Sequence, residues 1–339
     1  MSGLEIAPIT DCGCLGVMHL KRFWSLARAS CLGLPRQKRD ECADTVLLCG
    51  LRAGIHEALS YATLKAGEFE QFEAWILEIN GGLLDPARVN RINAALAGTL
   101  DAGTPPATGS AEAVLGAEDL EKWDRDGYVV VHDAATPDQC RAASEAIYEF
   151  MGVNPADPQT WYGNPRGHSI WVPLLRHPAF RATRESPRIH AAFAQLWGRT
   201  DLWASIDQGG FNPPERPKWP FPGPNLHWDV SIAQPIPLNL SGLLYLTDTA
   251  ADQGAFRCVP GFHRRIGKWL EELPLGANPR DERLMETLGA IPIPGRAGDL
   301  IIWSQALPHG ASPNRSAKPR VAQYVRMMPS RWETHSVWI

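Results

Sequence analysis

The spacing of apolar residues changes character partway along this chain, and that change limits the folds open to it more than any other feature. Up to Leu96 the spacing is helical: Phe69, Phe72, Ile76 and Ile79 fall on one face, and Asn80-Gly81-Gly82 supplies a stop. Asp85-Pro86 reads as an N-cap followed by proline at the first helical position, and Val89, Ile92 and Leu96 continue an apolar stripe that ends near Ala97-Gly98. Thr99 to Gly116 is rich in proline, glycine and small polar residues, as a flexible connection is. Beyond it a polar helix around Ala117 to Arg125 leads into an apolar strand at Tyr128 to Val131, and Thr136-Pro137-Asp138 opens another helix through Phe150. Short β segments then take over between glycine- and proline-rich turns, with strands expected at Leu202 to Ile206, Gly242 to Thr247, Phe256 to Val259, Asp299 to Trp303 and Val321 to Met327. The expected organisation is an all-α domain of unassigned role over residues 1–98, a linker over 99–116, and an α+β domain over 117–339 built as a β-sandwich or jelly roll braced by helices.

Composition narrows the partners. The 37 acidic and 33 basic residues give a formal charge of −4 with no long run of either sign, so nucleic acid is not an expected partner. No stretch approaches the roughly 18 to 20 apolar residues of a membrane helix. Met1 to Leu15 lacks the basic region, apolar block and cleavage site of a leader, so no membrane contact is expected and the expected compartment is the cytoplasm. The seven cysteines are an odd number in a chain too long to need stapling, and reduced thiols are expected. Cys12 and Cys14 lack a second pair at zinc-finger spacing, and Cys42 and Cys49 read as small hydrophobes of a helix.

The sharpest chemical signal is His227-Trp228-Asp229, because alternate residues of a strand point to one face and can grip one ion together. His309 follows the apolar run Leu300 to Trp303 and the turn Leu307-Pro308, which suits a third ligand at a strand end. Two imidazoles and one carboxylate form the facial set of non-haem iron(II) oxygenases and leave positions open for a co-substrate and dioxygen. Arg320, opening the next strand, offers a fork for the distal carboxylate of a 2-oxoacid chelating that metal.

Five pieces together resemble the phytanoyl-CoA dioxygenase family of Fe(II)/2-oxoglutarate-dependent oxygenases: Trp123 to Val131, His227-Trp228-Asp229, Gly254 to His263, Gly298-Asp299, and His309-Gly310 with Arg320. The resemblance implies a double-stranded β-helix of cupin-like type, and makes His227, Asp229 and His309 the iron ligands. It implies that Arg320 anchors the C5 carboxylate of 2-oxoglutarate, that Tyr245 flanks the co-substrate and adds a hydrogen bond from its hydroxyl, and that Gln208 occupies a co-substrate position, where an ordinary hydrogen-bonding strand residue is an equal reading. The chain departs from the family at two places. Ala311 stands where a serine is frequent, leaving Ser312 as the nearest hydroxyl for a co-substrate contact, and Phe262 stands in a Pro-Gly-Ser-His segment, so His263 reads as the buttress of a turn.

The implied activity consumes Fe(II)-bound 2-oxoglutarate and dioxygen, releases succinate and CO2, and oxidises a small organic substrate, most simply by hydroxylation. Desaturation and cyclisation stay open, as do a carrier- or coenzyme A-tethered substrate and a homodimer. Asp229 speaks against halogenation, since related halogenases carry a small residue there. The proline-rich run from Asn212 to Pro224 reads as a stiff loop over the metal. Trp161 to Arg188, with Trp171, Arg166, Arg176, Arg181 and Arg184, reads either as an aromatic and basic lining or as a solvated helical surface. Two rival functions remain: a cupin-type isomerase or hydrolase using the metal as a Lewis acid without 2-oxoglutarate, and a non-enzymatic binding module.

Overall fold

The computed structural model describes residues 4–34, 38–110, 112–163, 171–335 and 337–339. The chain forms two compact units, one of Met1–Thr104, Arg199–Ile206 and Met327–Trp332, the other of Pro105–Gly198, Asp207–Arg326 and Glu333–Ile339. The contiguous ranges 1–98 and 117–339 thus miss two short returns of chain into the first unit. None of the described helices is long and apolar enough to cross a membrane.

The first unit holds helices α1 (Leu20–Cys31), α2 (Glu41–Gly50), α3 (Ile55–Leu64), α4 (Phe69–Ile79) and α5 (Pro86–Ala97). Phe69, Phe72 and Ile76 bury the expected face of α4 against Phe23, Trp24 and Leu47, while Ile79 packs at the margin. The Asp85 carboxylate accepts from the Ala87 amide to start α5, and Gly98 ends it at φ 74°, a left-handed conformation that glycine adopts without a Cβ clash. Leu202 to Ile206 is not a strand of the main sheet. Only Trp203–Ala204 is extended, and it pairs antiparallel with Met327–Met328. The reason is Trp203, which buries in the helical core beneath the Arg91 guanidinium, 3.9 Å away, and donates its indole N–H to Ser330 Oγ at 3.0 Å.

The second unit carries helices α6 (Ala117–Asp126), α7 (Pro137–Met151), α8 (Pro178–Arg184), α9 (Pro187–Trp197), α10 (Ile266–Glu272) and α11 (Glu282–Glu286). In chain order the strands are β1 (Tyr128–Val131), β2 (Trp171–Val172), the Trp203–Ala204 strand β3, β4 (Gly209–Asn212), β5 (Leu240–Tyr245) and β6 (Phe256–Cys258). They continue with β7 (Ile291–Ile293), β8 (Leu300–Ser304), β9 (His309–Ala311), β10 (Arg320–Tyr324) and the Met327–Met328 strand β11. An antiparallel six-stranded sheet runs β1-β8-β5-β10-β4-β2, and a three-stranded sheet runs β7-β6-β9. The run expected from Val321 to Met327 is therefore two strands in two sheets.

Alternation along the six-stranded sheet gives each face its job. On one face, Tyr128, Leu243, Tyr245, Ile301, Trp303 and Ala322 share a core with Phe256, Cys258 and Ile293 of the smaller sheet. The other face meets helices at close range: a Cβ on Gly209 would lie 2.7 Å from the Phe180 ring, and one on Gly242 would lie 3.1 Å from the Phe193 ring. Gln323 locks α8 to that face, donating to Phe180 O at 3.0 Å and accepting from Thr183 Oγ1 at 2.6 Å. Helices brace one face, and the opposite face is left to enclose a site between two sheets.

Candidate metal centre

His227 and His309 are brought together by backbone. The His227 amide donates to the His309 carbonyl at 2.9 Å and the His309 amide to the His227 carbonyl at 3.0 Å, so the two imidazoles stand side by side with ring centroids 4.6 Å apart. Gly310 allows this approach, since a Cβ there would meet the Asn225 carbonyl oxygen at 2.6 Å. Each imidazole is oriented by a main-chain acceptor: His227 Nδ1 lies 2.7 Å from Asn225 O, and His309 Nδ1 lies 3.0 Å from Leu307 O. A carbonyl can only accept, so each Nδ1 carries a proton; in the neutral imidazole the Nε2 lone pair is then free for a metal, and in the imidazolium Nε2 donates instead.

Asp229 completes the set. Its carboxylate oxygens lie 3.2 Å from His227 Nε2 and 3.3 Å from His309 Nε2. Two donors about 2.1 Å from one ion and at right angles would be about 3.0 Å apart, so this spacing suits adjacent positions around a single metal. Among the described residues these three form the one cluster of histidine, cysteine and acidic side chains able to hold an ion, and Cys12 and Cys14 belong to none. The site opens on one side: the His309 side chain is 5% exposed, while those of His227 and Asp229 are 35% and 47% exposed. Burial works to raise the Asp229 pKa, but hydrogen bonds from the two imidazoles outweigh it and hold the carboxylate well below its usual range. Burial likewise works to lower His227, and the Asp229 carboxylate outweighs it, leaving the imidazole above its ordinary value.

Arg320 opens β10 on the inner face and is 1% exposed. Its Nε donates to Gly254 O at 3.1 Å, yet its Nη1 is buried with no hydrogen-bond partner. Gly254 is in the left-handed region at φ 68°, and a Cβ on it would lie 2.3 Å from Asn212 Nδ2, so this position requires glycine. A buried guanidinium nitrogen without an acceptor is costly, and a carboxylate is the group that would satisfy it. The donor set of the triad fits iron, and the unsatisfied fork of Arg320 fits a 2-oxoacid.

The other expected contacts divide. Register pairs Arg320 with Asn212 and Ala322 with Gly210, so Gln208, whose carbonyl accepts from the Tyr324 amide at 3.1 Å, shares the face of Arg320. Tyr245 lies opposite Ala322 on that face and is fully buried. Its hydroxyl, however, donates to Ile293 O at 2.8 Å and accepts from the Phe256 amide at 2.9 Å, tying the two sheets together. Its single proton is committed, so the hydroxyl does not add the donated bond expected of it. Ser312 is three residues past His309 and falls on the other side of β9, where it lines a polar cleft with Arg257 and Glu286. It is not brought to the triad. His263 packs its ring on Gly127, with Nε2 3.0 Å from Asp124 O.

Tyr324 escaped the sequence reading. It stands four residues from Arg320 on the same face, its hydroxyl interacts with the Arg320 guanidinium, and Trp171 stacks on its ring at 4.8 Å. Burial raises its pKa and Arg320 opposes the rise. The period-2 spacing of Arg320, Ala322 and Tyr324 was the available signal. Most of the basic stretch serves structure: Arg181 pairs with Glu185, Arg184 donates to Asp207 O at 2.8 Å, Arg188 donates to His132 O at 3.1 Å, and the Trp161 indole donates to Asn154 O at 2.9 Å. Arg166 lies outside the described residues. The proline-rich loop is pinned where Tyr162 donates to Pro214 O at 2.8 Å and meets Trp219 edge-on at 5.7 Å.

Comparison with known proteins gives the family. The family model described as Phytanoyl-CoA dioxygenase (PhyH) matches residues 123–322. An ectoine dioxygenase of Bordetella bronchiseptica is 24% identical over 226 residues, covering 61% of this chain and 73% of its own. The Ava biosynthesis cluster protein O of Aspergillus versicolor is 24% identical over 247 residues, covering 63% of this chain and 78% of its own. Among solved structures, EctD from S. alaskensis with bound Fe superposes with a TM-score of 0.50 at 21% identity, covering 69% of this chain and 84% of that one. The chain belongs to the phytanoyl-CoA dioxygenase family of Fe(II)- and 2-oxoglutarate-dependent oxygenases.

Proposed function

We propose that the second unit is a double-stranded β-helix dioxygenase that hydroxylates a small organic substrate, with succinate and CO2 as co-products. The observation that carries this reading is the pairing of a convergent His227, Asp229 and His309 set with a buried, partly unsatisfied Arg320 on the same inner surface. When bound, the iron and 2-oxoglutarate supply the oxidising power from dioxygen that no side chain of the chain possesses. The residues hold and orient. His227, Asp229 and His309 would take one face of the ion, and Arg320 would pair with the far carboxylate of the co-substrate, with Tyr324 beside it. The stacked Trp171 and Tyr324 would form a wall of the same face beside the co-substrate. A Lewis-acid isomerase or hydrolase has no use for Arg320, whose buried Nη1 would then stay unpaired.

The test is anaerobic titration of the metal-free protein with Fe(II) and 2-oxoglutarate, following the weak visible charge-transfer absorption of the chelate, with His309→Ala as control. Absorption in the wild type that vanishes in the variant is expected. Tight iron binding without that absorption would transfer the site to metal-only chemistry.

A further inference from the structure

Of the three ligands, Asp229 is the least supported by regular structure. His227 is held by its paired backbone bonds to His309, but the chain leaves the sheet there, and Asp229 sits in irregular backbone with a half-exposed side chain. Trp228 is anchored inward, its indole donating to Ala306 O at 3.0 Å, which fixes one side of the turn. The guanidinium of Arg280 holds the main chain on both sides. Its Nη1 donates to Trp228 O at 2.9 Å and its Nη2 to Val230 O at 2.6 Å, the carbonyls that flank Asp229 in sequence. Two further hydrogens go to Ile339 O, from Nε at 3.1 Å and Nη2 at 2.8 Å. The guanidinium carbon lies 5.9 Å from the Trp228 ring and 5.1 Å from that of Trp338. Ser231 closes the far side, its Oγ donating to Val337 O at 2.8 Å and accepting from the Ile339 amide at 3.2 Å.

We propose that Arg280 is a positioning residue for the metal ligand Asp229, its fork fixing the backbone on both sides of that carboxylate and fastening it to residues 337–339. The inference rests on Asp229 being an iron ligand. A carboxylate on an unsupported turn must lose backbone freedom when it binds a metal, and that loss is subtracted from affinity; a turn already clamped by charge-assisted bonds has lost it beforehand. The planar fork reaches three carbonyls at once, which a lysine ammonium on a flexible stem does not reproduce. Loss of such an outer partner typically weakens metal binding about 10- to 100-fold.

The experiment compares the full-length wild type, Arg280→Ala, Arg280→Lys and Asp229→Ala. Each is titrated anaerobically with Fe(II) at saturating 2-oxoglutarate, and thermal unfolding of each metal-free protein is followed in parallel. The expected result is an Fe(II) Kd about 10- to 100-fold higher in Arg280→Ala and incompletely restored in Arg280→Lys. A lysine variant that binds as the wild type does, or an alanine variant within twofold of it, overturns the proposal. A drop in melting temperature with unchanged Kd does so too, since that is the mark of a merely structural arginine. Should the alanine variant not fold, the lysine variant decides by the same Kd criterion. Wild-type protein that binds no iron, or Asp229→Ala that binds it unimpaired, instead removes the ligand assignment on which the inference stands; loss in Asp229→Ala alone sinks the inference and leaves that assignment intact.

Discussion

Arg320→Met separates the two things this arginine does, because methionine matches much of its stem and carries no charge. In the ligand-free protein the guanidinium is 1% exposed, donates from Nε to Gly254 O, meets the Tyr324 hydroxyl, and leaves Nη1 without a partner. Its burial is therefore poorly compensated, and replacing a poorly compensated buried charge with an apolar side chain is commonly neutral or stabilising. The metal-free Arg320→Met protein is expected to melt at the wild-type temperature or above it. With 2-oxoglutarate the balance reverses. Losing one partner of a desolvated, hydrogen-bonded charge pair costs about 2–5 kcal/mol, and about 3 kcal/mol is on the order of a 150-fold rise in Kd. At a co-substrate concentration 100 times the wild-type Kd, binding stabilises the wild type by about 2.7 kcal/mol, which for a unit of this size shifts melting by roughly 5–10 °C. Thermal shift of the Fe(II)-loaded protein under argon reads both quantities: the wild type should move by that amount and the variant hardly at all. A variant that loses several degrees without ligand yet retains the 2-oxoglutarate shift would show that Arg320 is a structural arginine and would refute the reasoning.

Three further perturbations test the frame around the metal. Gly310→Ala places a Cβ against the backbone oxygens of Asn225 and Pro224, which cannot rotate away, so it should cost about 1–3 kcal/mol in urea unfolding and weaken Fe(II) binding by displacing the acceptor of His227 Nδ1; a fully stable variant with normal iron affinity would contradict that placement. Tyr245→Phe leaves Ile293 O and the Phe256 amide unsatisfied in the core and should destabilise by about 1–3 kcal/mol while the 2-oxoglutarate Kd stays within a few-fold, the opposite pattern to Arg320→Met. The pH response should change sign on loading. The raised His227 pKa means that the metal-free fold has its His227–Asp229 attraction in full below the unfolded imidazole value of about 6.5, and loses it as pH rises through the folded value. The depressed Asp229 pKa keeps the partner charged until pH falls below the ordinary carboxylate range. Iron needs the neutral imidazole, so Fe(II) affinity should rise over the interval in which metal-free stability falls, as melting curves and titrations from about pH 5.5 to 8 would show; parallel trends would count against the pairing.

The residues that carry the chemistry were legible because each belongs to a local pattern. His227 and Asp229 stand two apart, His309 follows an apolar run and Arg320 opens a later strand; in the fold only His227 is bridged to a strand, His309 opens β9, and Asp229 lies in irregular backbone. Periodicity also marked α4 and α5, with their caps at Asp85 and Gly98. What escaped depends on partners distant in sequence. Trp203 has the apolar neighbours of a core strand, but the helical unit offers its ring a better burial, and the strand goes with it. Tyr245 is as aromatic as the family expects, yet its proton is taken by a carbonyl on another sheet. Arg280 sits in no motif, and its bonds to Trp228, Val230 and Ile339 exist only once three separate segments have met. The sequence by itself determined which side chains can chelate a metal and that Arg320 lies on the same strand face as Tyr324, since these follow from side-chain chemistry and a two-residue repeat; that Asp229 meets the two imidazoles from irregular backbone was decided by the fold. Only the tertiary structure decided which hydrogen-bonding groups are already satisfied and which, like Arg320 Nη1, are left waiting for a ligand, because satisfaction is a property of the neighbours that packing brings.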